Sequence, residues 1–166
     1  METHKSGSAP SNKLRVLIID DEKNIRATLS LCLEHMGCAV TAVSTPEAAL
    51  ASLRQQPYDL AFLDLRLGES SGLDLIPKLL TIDAGLQVIV ITAYATIDTA
   101  VDAIKHGAAD YLPKPFTPQQ IRHIVDQSIS SAILKHVFRT WRDACKKPRR
   151  PSTWKPTHQK FALSSK

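Results

Sequence analysis

Five polar side chains that could do chemistry stand where apolar stretches of the sequence end. They are Asp20 and Asp21 after LRVLII, Asp64 at the end of LAFLD, Thr92 at the end of QVIVIT, and Lys114 after ADYLP. Three converging carboxylates would repel one another, by about 4 kcal/mol per pair at about 4 Å and an effective dielectric constant of about 20. A hard divalent cation offsets such repulsion, and Mg²⁺ suits a few carboxylates, waters and a phosphate. With a lysine and a hydroxyl added, the set predicts an aspartyl phosphate at Asp64.

Alternating apolar segments predict the elements that would bring these residues together. Strands are expected at residues 14–19, 38–43, 59–63, 87–92 and 109–112, and segments with helical spacing lie between and after them. Short connections between alternating strands and helices predict an α/β fold, a (βα)5 doubly wound five-stranded parallel sheet with helices on both faces. Ligands bind at the carboxyl ends of the strands in such a sheet, where all five polar residues would meet.

Local signals refine this prediction at three places. The third strand is expected to end in an exposed carboxylate, Asp64, followed by a loop. The helix over residues 96–106 has apolar residues on one face (Ile97, Ala100, Val101, Ile104). Thr117 with Gln120 resembles a capping box and predicts the start of the last helix.

Charge divides the chain into regions of different character. Residues 14–135 hold 10 Lys and Arg against 14 Asp and Glu, whereas residues 136–166 hold 9 against 1. We therefore predict a disordered leader over residues 1–13, a folded domain over 14–135, and the end of the last helix with a basic disordered tail over 136–166.

Several classes of protein are disfavoured by composition. No apolar run approaches the length of a membrane span, and the polar start has no signal-peptide core. The three cysteines, Cys32, Cys38 and Cys145, lack metal-ligand spacing, and their odd number suits a reducing compartment. A cytoplasmic location without membrane partners is expected.

The five strand-end residues together resemble the receiver domain of two-component response regulators, a flavodoxin-like fold. The resemblance covers about residues 14–135 and includes Gly72, eight residues after Asp64, and the pair Lys114-Pro115. The segments DDEKNIR, LDLRLG and VIVITAYATIDTAVDAIKHGAADYLPKPF are similar to receivers of the NtrC class of enhancer-binding activators. The resemblance implies a regulator of transcription that is no enzyme beyond its own phosphotransfer and slow autodephosphorylation.

The resemblance implies a role for each matching acidic residue. Asp64 would accept the phosphoryl group from the histidine of a sensor kinase. Asp21 and Asp64 would coordinate Mg²⁺ directly, the backbone carbonyl of Arg66 would add a ligand, and Asp20 would help through water.

It also implies a switch around the acceptor. Lys114 would pair with the acceptor or its phosphate, and the Lys114–Pro115 bond would be cis. Thr92 would hydrogen-bond the phosphoryl group, and Tyr111 would turn inward when Thr92 moves. The face made by the fourth helix, fifth strand and fifth helix would then change, and homodimers would form there.

One departure from the family lies beside the acceptor. Leu67-Gly68 stands where the family often has Met-Pro, which makes the loop more pliable. Arg66 and Tyr94 occupy positions that tune phosphate lifetime in the family, and a bulky Tyr94 is expected to shield the phosphate from water.

The basic tail leaves two interpretations open. Activators of the NtrC class continue into an ATPase and a DNA-binding domain, but no phosphate loop follows residue 135, so a truncated or frameshifted activator is expected. Alternatively the tail binds DNA or another polyanion through basic residues interleaved with tryptophans (Arg139, Trp141, Arg142, Lys146, Lys147, Arg149, Arg150, Trp154). A doubly wound phosphatase or hydrolase is disfavoured, because no second catalytic nucleophile accompanies the acids.

Overall fold

The structure, a computed structural model, describes residues 13–130. The predictions for the leader, for the end of the last helix and for the basic tail with Cys145 therefore concern residues outside the described part. Within residues 13–130, no helix is long and apolar enough to cross a bilayer.

A five-stranded sheet with parallel pairing forms the centre of the molecule. Its strands are β1 (Arg15–Ile19), β2 (Ala39–Val43), β3 (Leu60–Asp64), β6 (Gln87–Thr92) and β7 (Asp110–Pro113). Their order is β2-β1-β3-β6-β7, with β3 paired to β1 on one side and to β6 on the other. A small antiparallel hairpin, β4 (Arg66–Leu67) and β5 (Ser70–Ser71), follows β3. The predicted (βα)5 doubly wound sheet is confirmed.

Helices connect the strands and cover both faces of the sheet. They are α1 (Lys23–His35), α2 (Pro46–Gln55), α3 (Gly72–Ile82), α4 (Ile97–Lys105) and α5, which is described over residues 118–130. The buried strands explain the continuous apolar runs, because a parallel strand covered on both faces has no polar side. Along β1, Leu17 and Ile19 belong to one core and Val16 and Ile18 to the other.

Helix caps follow the predicted chemistry. The Thr117 hydroxyl accepts from the Gln120 backbone N–H at 3.3 Å, and the Gln120 side chain accepts from the Thr117 N–H at 2.8 Å. Thr96 and Thr99 form a second such box at the start of α4. Each box satisfies two backbone donors that a helix start leaves unpaired.

Helix α4 buries little of its apolar face. Ile97, Val101 and Ile104 are 84%, 45% and 51% exposed, and the buried residue of this helix is Ala103. The apolar spacing was read correctly as helical, but the face it defines lies at the surface rather than against the sheet.

Candidate functional site

Lys114 joins two buried carboxylates at the carboxyl edge of the sheet. Its Nζ lies 2.9 Å from Asp20 Oδ2 and 2.7 Å from Asp64 Oδ2. Asp20 is fully buried and Asp64 is 5% exposed. The expectation that Asp64 would be exposed is therefore wrong, because the lysine arriving from the end of β7 and the neighbouring loops cover it. The Lys114–Pro115 bond is cis, as the resemblance implied.

The charges in this cluster shift one another's protonation. Burial raises the pKa of Asp20, and the hydrogen bonds from Lys114 and from the Glu22 N–H offset only part of that rise. Burial alone would lower the pKa of Lys114, but its hydrogen bonds to Asp20 and Asp64 outweigh burial and raise it. Lys114 therefore stays protonated at neutral pH and supplies a fixed positive charge beside Asp64.

A third carboxylate completes an oxygen-rich group. Asp20, Asp21 and Asp64 each offer an oxygen atom, and these atoms all lie within 4.8 Å of one another. Asp21 is exposed, and its Oδ2 accepts from the Gly68 N–H at 3.1 Å. Several carboxylate oxygens so close together, one side open to water, fit a hard divalent cation such as Mg²⁺.

The turn between β1 and α1 fixes the acidic pair. Asp20 Oδ1 accepts from the Glu22 N–H at 2.8 Å, which closes a tight turn of the kind that Asp favours. Arg26, in the first turn of α1, donates from Nη1 to the backbone carbonyls of Asp20 and Asp21 at 2.6 and 2.8 Å. Sequence reasoning missed Arg26, since main-chain acceptors leave no trace in residue types.

Glu22, directly after Asp21, lies at the edge of the site. Its Oε1 is 3.4 Å from Lys114 Nζ, but its side chain is 61% exposed. An exposed pair of this length contributes little to stability.

The chain leaving β3 is held by hydrogen bonds around Asp64. The Arg66 N–H donates to Asp64 Oδ1 at 3.1 Å, so each carboxylate oxygen of Asp64 has a donor. The first residue of α3, Gly72, donates its N–H to the Leu65 carbonyl at 2.8 Å. A Cβ at Gly72 would lie 2.2 Å from the Asp64 carbonyl oxygen, so only glycine allows this approach.

Thr92 and Tyr111, the predicted switch residues, lie on the neighbouring strands β6 and β7. Thr92 is fully buried, follows Ile91, the register partner of Asp64, and accepts from the Tyr94 N–H at 3.2 Å. The hydroxyl of Tyr111 is 3.2 Å from Thr99 Oγ1 and donates to the Tyr94 carbonyl at 3.5 Å.

A stacked pair joins the segments that follow β3 and β6. The guanidinium carbon of Arg66 lies 3.7 Å from the centroid of the Tyr94 ring. Both residues are exposed. Sequence reasoning identified both positions separately, but it did not predict that they would touch.

Comparison with known proteins identifies this arrangement. The sequence model of the response regulator receiver domain matches residues 16–126, which include Asp20, Asp64 and Lys114. The chain belongs to the response regulator receiver family. The polar residues that this receiver gathers at one sheet edge all lie within the matched region.

Relatives of the receiver place it near the AlgB and NtrC-class regulators. It is 46% identical over 115 residues to the alginate biosynthesis transcriptional regulatory protein AlgB of Pseudomonas putida, covering 69% of this chain and 26% of that protein. NtrX from Brucella abortus superimposes with a TM-score of 0.71 at 27% identity, covering 78% of this chain and 29% of that one.

A third comparison concerns a phosphorylated protein. A response regulator from Burkholderia pseudomallei, whose structure contains a phosphorylated aspartic acid, a calcium ion and citrate, superimposes with a TM-score of 0.66. It is 32% identical, and the match covers 76% of this chain and 75% of that one. The matched region spans about a quarter of the length of the AlgB protein named above.

Proposed function

We propose that the receiver accepts a phosphoryl group on Asp64 from the histidine of a sensor kinase, with Mg²⁺ bound by Asp20, Asp21 and Asp64. The observation that carries the proposal is the contact of 2.7 Å between Lys114 Nζ and Asp64 Oδ2 inside a group of three carboxylates. A buried carboxylate held against a lysine and two further acids is costly to maintain for structure alone. It suits a phosphorylation site, where a cation and the lysine neutralise phosphoryl oxygens.

The transfer follows from the charges in the site. A carboxylate oxygen of Asp64 attacks phosphorus while the bond from phosphorus to the donor nitrogen breaks, and the donor imidazole takes up a proton from water. Lys114 stays protonated and faces the oxygens that gain charge. Bound Mg²⁺ would supply further neutralisation of those oxygens. On this proposal the protein is a switch that catalyses only its own phosphotransfer and slow autodephosphorylation.

The output of the switch is part of the proposal. The aspartate phosphate would draw Thr92 toward it, and the hydrogen bonds of Tyr94 and Tyr111 would carry the change to α4. A homodimer through α4, β7 and α5 would use the apolar residues that α4 exposes. Regulation of transcription is what the similarity to the transcriptional regulatory protein AlgB supports, and a cytoplasmic location is part of the proposal.

Incubation with MgCl₂ and acetyl phosphate tests the proposal. The wild type should gain one phosphoryl group by intact mass, and hydroxylamine should remove it, as expected of an acyl phosphate. Asp64→Asn should gain none, while Asp74→Asn, which changes an exposed aspartate on α3, should be labelled as the wild type is. A wild type that stays unlabelled, or an Asp64→Asn protein labelled equally well, would overturn the proposal.

A further inference from the structure

Arg26 makes an unusual contact with the acidic turn. A single guanidinium nitrogen donates to two consecutive main-chain carbonyls, those of Asp20 at 2.6 Å and Asp21 at 2.8 Å. Hydrogen bonds from a charged donor are roughly twice as strong as neutral ones. Arg26 is half-buried. Because it binds the backbone of the acidic turn, the side chains of Asp20 and Asp21 remain available to other partners.

The geometry points to Arg26 as a positioning residue for the cation site. Asp20 is fixed by several contacts, with Val43, Glu22 and Lys114. The exposed carboxylate of Asp21 accepts a hydrogen bond from the Gly68 N–H at 3.1 Å. Because this hydrogen bond alone orients the carboxylate weakly, the direction of the Asp21 side chain depends on its backbone. Arg26 holds that backbone in place through the Asp21 carbonyl. This inference rests on the proposed Mg²⁺ site and adds a residue that holds its ligands in place.

Charge and positioning predict opposite effects of removing Arg26. If Arg26 acted only as a nearby positive charge, its loss would tighten binding of a cation, because a repulsion would disappear. If Arg26 positions the turn, its loss would weaken binding, because Asp21 would sample directions that do not face the cation. Removing a group that orients a metal ligand typically weakens affinity by about 10- to 100-fold.

Calorimetric titration with MgCl₂ distinguishes the charge role of Arg26 from the positioning role. The titration is done at constant ionic strength and without a phosphodonor. We expect Arg26→Met to raise the Kd for Mg²⁺ by about 10- to 100-fold. Arg26→Lys should lie between that variant and the wild type, since lysine keeps the charge but lacks the planar guanidinium. Lys23→Met is the matched control: it removes an exposed cation from the same turn of α1 and should leave the Kd unchanged or lower it.

A second measurement separates positioning from a general loss of structure. The Gly68 amide reports the direction of Asp21, so its NMR shift should move in metal-free Arg26→Met and not in Lys23→Met. Thermal unfolding in EDTA tests whether the variants are folded. If Arg26→Met is unfolded, the Kd of Arg26→Lys for Mg²⁺ decides between positioning and charge alone. A folded variant that binds Mg²⁺ as tightly as the wild type, or more tightly, overturns the inference. A wild type that binds Mg²⁺ but is not labelled on Asp64 would overturn the phosphoacceptor function and would leave the inference about Arg26 standing.

Discussion

Replacing Lys114 with methionine isolates the electrostatics of the acceptor site. At an effective dielectric constant of about 20, each of its contacts with Asp20 and Asp64 corresponds to about 6 kcal/mol of Coulomb energy, from distances of 2.9 and 2.7 Å. Desolvation of the buried groups takes back much of this gain. Removing one partner of a buried pair nevertheless costs about 3–5 kcal/mol, because uncompensated charge remains. Lys114→Met, which keeps most of the side-chain volume, should lose stability by that amount in EDTA.

The loss should depend on pH with a defined sign. The pKa of Lys114 is raised above its ordinary value of 10.5, so its contribution is fully present below 10.5 and disappears as the pH rises through the raised value. On the acid side, the pKa of Asp20 is raised by burial. Without the lysine, the carboxylates of Asp20 and Asp64 repel each other, and protonation of Asp20 removes that repulsion. The difference in the free energy of unfolding between Lys114→Met and the wild type should therefore narrow as the pH falls.

Urea unfolding in EDTA at several pH values measures the effect. Lys78→Met, which removes an exposed lysine from α3, is the control and should change stability by no more than about 0.5 kcal/mol. Mg²⁺ should bind Lys114→Met more tightly than the wild type, because a cation is missing, and should restore part of the lost stability. A loss below about 1 kcal/mol, or a gap that widens toward acid pH, would refute the electrostatic reasoning.

Three further predictions follow from neighbouring features. Tyr94→Ala removes the stack with Arg66, and an exposed cation–π contact contributes about 0.5–1 kcal/mol. The half-life of the phosphorylated protein after removal of acetyl phosphate should therefore shorten about two- to fivefold; an unchanged half-life would speak against shielding. Gly72→Ala pushes a methyl group into the Asp64 backbone and should cost about 1–3 kcal/mol in urea unfolding and slow labelling of Asp64, whereas wild-type behaviour would contradict the close approach. If residues 139–166 bind DNA, the affinity for DNA should fall steeply as the salt concentration rises and should vanish on their deletion. Equal DNA binding by the shortened protein would show that the tail is not the DNA-binding segment.

The fold was predictable because its signals are local. The run QVIVIT became β6 over the predicted residues, Gln87–Thr92. Thr117 and Gln120 formed the predicted box, since its chemistry needs only two residues that lie three positions apart. The convergence of Asp20, Asp64 and Lys114 was also predictable, because parallel strands place all their carboxyl ends at one edge.

The remaining features depend on contacts that residue types do not encode. The burial of Asp64 results from Lys114, which lies 50 positions away in the sequence. The role of Arg26 rests on carbonyl acceptors that every residue possesses. The hairpin of β4 and β5 has two residues in each strand, too few for an alternating pattern to be recognised.

Helix α4 is attached to the body of the protein more weakly than its neighbour α3. One residue of α4, Ala103, is buried, whereas α3 buries Gly72, Leu75, Ile76 and Leu79. Burial of a methyl group yields far less free energy than burial of leucine and isoleucine side chains. Helix α4 can therefore detach at a cost well below that of global unfolding, and its amides should exchange with deuterium sooner than those of α3. The output change proposed for phosphorylated Asp64 would thus involve a helix that needs little free energy to move.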